Sequence, residues 1–207
     1  MKKLVKISLL LATVLTSTSA YAAAEKYTID KSHTSILFFV NHLGFSDMIG
    51  KFTDYDGTLM LDEKSPEKST VDVTIRPASI ATSSTELDKH LQDKEWFDSA
   101  KYPEIRFVSK TVTKTSDTTA DILGDLTMHG VTKPVTLKAR LNKADYFEMA
   151  KAWIAGFNAE ATIKRSDFGI SNYVPMVGDE VQILISTEFH NKEKAAPASA
   201  AADKKKP

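Results

Sequence analysis

The side chains of this sequence that could do chemistry are few and scattered. Five histidines occur, at His33, His42, His90, His129 and His190. None stands in an H-E-x-x-H or comparable ligand spacing, and His33, His90, His129 and His190 read as isolated, so no metal site is expected. Gly44-Phe45-Ser46-Asp47-Met48 matches half of a nucleophile elbow. Its closing glycine is missing and no strand-to-helix pattern surrounds it, so a serine hydrolase is not expected. Asp54 and Asp56 lack a partner of the kind that acid/base catalysis needs and fit the polar face of a strand. The chain has no cysteine, which removes thiol chemistry, disulfides and a lipid-modified cysteine together. No catalytic residue is assigned. Two polar groups remain for a ligand. His42 could hydrogen-bond a carbonyl or another polar group, and Arg165 could neutralise a phosphate. The plainer alternatives are a histidine satisfied by backbone and a surface arginine.

What surrounds these groups is apolar and alternates with a period of two. Val71-Asp72-Val73-Thr74-Ile75-Arg76 is apolar on one face and polar on the other, as in a half-buried strand. Similar stretches near 26–42, 49–62, 103–114, 119–129, 132–142, 153–165 and 179–190 bring the expectation to eight strands. Most links between them are short, and His129-Gly130 and Ser116-Asp117 carry turn chemistry, which favours antiparallel neighbours. One helix is expected between Ser83 and Asp98. There Ser83-Ser84-Thr85-Glu86 fits a capping box and Leu87 and Leu91 lie one turn apart. A second irregular stretch, Ser166 to Asp179, is too long for a tight hairpin and is a candidate functional loop.

Eight antiparallel strands close into a barrel or pair as two sheets, and closure removes exposed edges. The predicted fold is therefore all-β, an eight-stranded antiparallel barrel with one helix near its mouth. A β-sandwich is the alternative. An outer-membrane barrel would turn Asp72, Thr74, Arg76, Glu160 and Lys164 towards lipid, which argues against it. On the first strand Ile36, Phe38, Val40 and His42 share one face and are assigned to the interior. Phe52, Phe107, Leu126, Met128, Phe157 and Ile163 join them from other strands, as the lining of an apolar pocket or as ordinary core. Leu37 and Phe39 point the other way. Exposed, they would suit a homodimer or a docking patch for a membrane redox protein or envelope machine. The alternative is burial under the helix.

Both ends of the chain differ from this middle. Lys2, Lys3 and Lys6, the apolar run Ile7 to Leu15 and the small-x-small site Ala20-Tyr21-Ala22 form an export signal over residues 1–22, cleaved between Ala22 and Ala23. The apolar run is shorter than the roughly 20 residues that span a bilayer, so a soluble periplasmic domain over residues 23–190 is expected. Residues 191–207, rich in alanine, serine and lysine, read as a flexible tail. Its Lys204-Lys205-Lys206 run is a solvated terminus or a contact for anionic lipid or an acidic partner. Basic and acidic side chains balance at 27 each, and the leader holds three of the lysines. No basic surface for nucleic acid is expected.

Specific words in the sequence then point to a family. His33-Thr34-Ser35-Ile36-Leu37-Phe38-Phe39-Val40-Asn41-His42, Gly50-Lys51-Phe52, Lys89-His90-Leu91 with Trp96-Phe97-Asp98, and Tyr102-Pro103-Glu104-Ile105-Arg106-Phe107 occur in order. Gly124-Asp125-Leu126-Thr127-Met128-His129-Gly130-Val131-Thr132-Lys133-Pro134-Val135 and Arg165-Ser166-Asp167-Phe168-Gly169 follow. Together they resemble the YceI-like family of periplasmic lipid-binding proteins over about residues 24–189. The resemblance implies a lipocalin-like barrel holding an isoprenoid lipid, an isoprenoid quinone or a fatty-acid-like chain as ligand, with no cofactor and no reaction attached. Two departures stand out. The arginine that many members place before the helix His-Leu is absent from Leu87-Asp88-Lys89-His90-Leu91. Trp96-Phe97 replaces a phenylalanine pair, which puts Trp96 at the mouth among the ligand-lining residues.

Overall fold

The computed structural model describes residues 24–197. The leader, its Ala22–Ala23 boundary and the Lys204–Lys206 run lie outside the described residues. Two of the eight expected strands are each broken in two. Residues 26–42 split into β1 (Glu25–Ile29) and β2 (Ser35–His42), because the Asp30 side chain accepts the Ser32 N–H and opens one 3-10 turn over Lys31–His33. Residues 49–62 split into β3 (Ser46–Phe52) and β4 (Tyr55–Leu61). Between them the N–H groups of Thr53 and Asp54 turn to the Ser79 hydroxyl at 3.1 and 2.9 Å. The other segments are β5 (Thr70–Ile75), the short β6 (Ile80–Ala81), β7 (Ile105–Lys114), β8 (Thr119–Met128), β9 (Val131–Phe147), β10 (Ala152–Lys164) and β11 (Val177–Asn191).

The ring runs β1-β4-β5-β7-β8-β9-β10-β11 and closes where β11 pairs with β1. Every pairing given for it is antiparallel, so the predicted eight-stranded closed barrel is the observed one. The closing seam is short, with Thr28 opposite His190 and Ile29 opposite Phe189. At the breaks the wall forks. β2 continues along β11 from Ser186 to Val177, and β3 and β6 follow it as a lobe beside the ring. Two hairpin turns use left-handed backbone. Leu43-Gly44 (φ 57° and 76°) joins β2 to β3 and His129-Gly130 (φ 52° and 77°) joins β8 to β9, the combination that matches strand twist.

Helix α1 (Thr85–Gln92) is shorter than expected and capped one residue later. The Ser84 hydroxyl, not that of Ser83, accepts the Leu87 N–H, and the Glu86 carboxylate accepts from Ser84 instead of closing the capping box. The Asp88 carboxylate ties the helix to the end of β6 by accepting Thr82 N–H and O–H at 2.6 and 2.7 Å. Trp96 and Phe97 follow the helix in a turn, with Phe97 N–H donating to Leu91 O at 3.0 Å.

The expected tail also begins later than Asn191. The indole N–H of Trp153 donates to Ala195 O, and Lys194 lies 4.1 Å over the same ring while pairing with Glu25 and Glu63 at 2.6 and 3.2 Å. A large aromatic face gives these residues something to pack on, which composition alone does not reveal.

One side chain organises the segment 165–178. Arg165 is buried, and its guanidinium donates to the carbonyls of Ile170, Asn172, Val177 and Gly178, each at 2.9 Å. Asp179 completes the closure by accepting Ser166 N–H and O–H at 2.9 and 2.8 Å. Burial alone would raise the Asp179 carboxyl, but the Ser166 bonds and Arg165 hold it below the usual carboxylate range. Arg165→Ala leaves four carbonyls without this partner, and a loss of about 2–4 kcal/mol in urea unfolding is expected. A loss within experimental error would contradict the role. Asp179 stabilises the fold above the unfolded carboxylate pKa, about 3.9, and this contribution fades as pH falls through the lower folded value. Asp179→Asn should therefore lower Tm at pH 7, and the gap to wild type should narrow as pH falls below the unfolded carboxylate pKa of about 3.9. A gap constant with pH would show that charge is not involved.

Candidate functional site

The lumen is a cavity of about 620 Å³, within the roughly 300–1,000 Å³ usual for small-molecule sites. Alternation along each strand builds its wall. Ile36, Phe38 and Val40 enter from β2, Phe52 from β3, Phe107 from β7, Leu126 and Met128 from β8, and Phe157 and Ile163 from β10. All nine were placed there by sequence pattern. Arg165 and Trp96 also border the lumen, and His42 stands exposed at its rim. Arg165 is neither a surface arginine nor a free phosphate clamp, because loop carbonyls occupy four of its five N–H donors.

Two aromatic rings stay flat against the wall because a glycine lies beneath each. A Cβ on Gly50, the cross-strand partner of Phe38, would overlap the Phe38 ring. One on Gly124 would meet Phe107 Cζ at 2.5 Å and Val108 O at 2.6 Å. Phe38, Phe52 and Phe97 continue as a chain of ring contacts at 5.6 and 5.8 Å, in tilted and edge-on geometries that aromatic pairs favour. Phe38, Phe107 and Phe157 all line the same lumen.

The closed end carries a small polar spot. Thr34 and Thr187 are buried lumen residues whose hydroxyls share a hydrogen bond of 2.8 Å. Beneath them the Tyr55 phenol donates to Thr34 O at 2.6 Å. Burial raises the Tyr55 pKa, with nearby Lys31 opposing, so the phenol stays a neutral donor. A second cluster, Tyr27, Leu59, Leu61, Ala155 and Phe189, packs against this end.

The other end is framed by α1, the β2–β3 turn and the Arg165 segment. Leu87 and Leu91 of α1 face the lumen. Trp96 donates from its indole N–H to His90 Nε2 at 3.0 Å, stacks on Tyr173 at 6.2 Å between centroids and has Arg165 5.6 Å from its ring. Asn172 Nδ2 bridges the two sides by donating to Glu95 O at 2.8 Å. Leu43, Tyr173 and Met176 line the lumen yet are 47, 58 and 61% exposed, and nearby Phe45 is 89% exposed. They form an apolar lip.

Pattern reading missed part of this site. Val181, Ile183, Ile185, Thr187 and Phe189 on β11 all line the lumen, and their strict alternation was a sufficient signal. Tyr173 and Met176 come from irregular backbone, where no periodicity marks them. Ser46 opens β3 in an exposed hairpin, between two strands and not at a strand-to-helix turn. Leu37 and Phe39 lie half-buried on the outer wall, opposite Lys51 and Ile49 of β3 and Leu184 and Gln182 of β11. His33 and His190 are not isolated, because the closing seam brings them together with Asp30 and Glu188 on the barrel's outside.

Comparison with known proteins agrees with this architecture. Protein YceI of Escherichia coli O6:H1 is 45% identical over 170 residues, covering 81% of this chain and 87% of that protein. The crystal structure of a Campylobacter jejuni YceI protein superposes with a TM-score of 0.68 at 32% identity, over 74% of this chain and 90% of that one. A domain of Saccharophagus degradans described as polyisoprenoid binding shares the fold, with a TM-score of 0.62 at 12% identity over 79% of this chain and 97% of that one. None of these names describes a reaction. Among the described residues no helix is long and apolar enough to cross a membrane. The YceI-like domain model matches residues 27–189, nearly the whole of the barrel, and the chain belongs to the YceI-like family.

Proposed function

We propose that this barrel binds a single chain-like lipid in its lumen, an isoprenoid such as a polyprenyl chain or isoprenoid quinone, or a fatty-acid-like amphiphile. The observation that carries the reading is the apolar lumen of about 620 Å³ reached through an apolar lip. Each buried methylene contributes about 0.8 kcal/mol, so a hydrocarbon chain offers ample driving force even after ordering costs. The lining holds few polar groups, at Thr34 and Thr187 on the floor and His42, His90, Trp96, Arg165 and Tyr173 near the mouth. A mostly apolar guest with one polar end matches that distribution. The polyisoprenoid described for the Saccharophagus degradans domain points the same way.

The protein acts in the periplasm, where its leader directs it, and carries or sequesters the lipid without transforming it. Leu43, Phe45 and Met176 form the entry lip. A second reading, delivery of the lipid to a membrane redox or envelope protein, is favoured by the same lip. The outer apolar strip of Leu37, Phe39, Ile49 and Leu184 suits a second copy of the chain.

Protein purified from its native host should release a stoichiometric lipid on organic extraction, identified by mass spectrometry. After delipidation it should take up a prenyl or acyl chain with micromolar or tighter affinity. No extracted lipid and no binding by the delipidated protein would remove the proposal. Gly50→Ala should push the Phe38 ring off the wall into the lumen. The expected result is at least tenfold weaker binding of the longest chain accepted by wild type, at a folding cost of about 1–3 kcal/mol. Unchanged affinity for that chain would show that the glycine hollow does not set capacity.

A further inference from the structure

On the outside of the barrel, at the seam that closes it, four metal-ligating side chains converge. Asp30 follows β1, His33 ends the 3-10 turn, and Glu188 and His190 alternate on the outward face of β11. His33 Nδ1 lies 2.6 Å from Asp30 Oδ2 and 4.0 Å from Glu188 Oε2. His190 Nε2 lies 3.4 Å from the same Asp30 oxygen and 3.3 Å from the same Glu188 oxygen. One candidate ligand atom each from Asp30, His33 and Glu188 falls within 4.8 Å of the others.

Tetrahedral zinc with bonds of about 2.0–2.2 Å places its ligand atoms about 3.4 Å apart. Of the six separations in such a quartet, His33–Glu188, His190–Asp30 and His190–Glu188 lie within 0.6 Å of that value. Asp30, His33 and Glu188 form the compact set, and His190, in reach of both carboxylates, completes the shell by closing towards His33. The short His33–Asp30 pair is a hydrogen bond that widens when a cation replaces its proton. The carboxylate is also held from behind, since Asp30 Oδ1 accepts Ser32 N–H and O–H at 2.9 and 2.6 Å. Such outer-shell bonds fix a ligand's direction before the metal arrives.

We propose that Asp30, His33, Glu188 and His190 form a binding site for a divalent cation of the zinc class, separate from the lumen. Two imidazoles and two carboxylates suit zinc and its borderline neighbours better than calcium or magnesium, which prefer oxygen alone. The ligands bridge β1 and β11, whose direct pairing is limited to Thr28–His190 and Ile29–Phe189. A bound cation clips the ring at its shortest seam and stabilises the closed barrel by mass action.

The test uses the mature, untagged protein stripped with chelator and titrated calorimetrically with Zn²⁺, and separately with Mg²⁺. The expected result is one saturable Zn²⁺ site per chain, a rise in Tm on addition of Zn²⁺ and no comparable response to Mg²⁺. His33→Asn and His190→Gln should each weaken Zn²⁺ binding at least tenfold, and the pair should abolish it, with lipid content unchanged. X-ray absorption of the wild-type zinc complex should report two imidazole nitrogens and two oxygens, a readout independent of whether the variants fold. Absence of saturable Zn²⁺ binding, binding that survives the double substitution, or a shell without two imidazoles overturns the proposal.

Discussion

The structure depends on holding an apolar lumen open against the tendency of protein interiors to close-pack. A cavity of about 620 Å³, at about 24 cal/mol per Å³ in core-truncation series, corresponds to a cost of about 15 kcal/mol. That is comparable to the whole stability of an ordinary domain. The chain meets this constraint by making the wall rigid and the guest energetically useful. Ring closure pairs its eight strands on both sides, leaving only the β2-β3-β6 lobe outside the ring. Phe38 and Phe107 lie flat because Gly50 and Gly124 have no Cβ to lift them. An apolar guest restores the dispersion contacts that the lining would otherwise forgo.

The forked wall explains how such a lumen acquires an entrance. An unbroken eight-stranded ring leaves little room at either end. Here the turn at Lys31–His33 and the gap at Thr53–Asp54 let β1 and β4 close the ring at one end. At the other end β2 and β3 diverge with β6 and α1. The closed end is packed by Tyr27, Leu59 and Phe189, while the open end is bounded by Trp96, Tyr173 and the Arg165-stapled segment. Arg165 thus serves the site indirectly, by giving irregular backbone a fixed shape beside the mouth.

Much of this was legible in the sequence because a strand's side-chain period is two. Ile36, Phe38 and Val40, or Leu126 and Met128, face inward by alternation alone, and the antiparallel order followed from short links. What alternation cannot carry is a break within it. Residues 26–42 read as one strand because the apolar pattern resumes after the Asp30 turn, and the interruption is marked by the bond that the Asp30 carboxylate accepts from the Ser32 N–H. The role of Arg165 was misread for a related reason, since its partners are backbone carbonyls that leave no trace in residue type. His33 and His190, separated by most of the chain, meet only when the ring closes. The likeness of motifs supplied the ligand class, which no periodicity contains.

The most direct test of the hollow-lumen account is a crystal structure of the protein purified from its native host without delipidation. The account predicts continuous, elongated density running from the Thr34–Thr187 floor past Phe38 and Phe107 to the Trp96–Tyr173 mouth. A lumen in which those rings have collapsed together, or which holds only discrete waters, would contradict it.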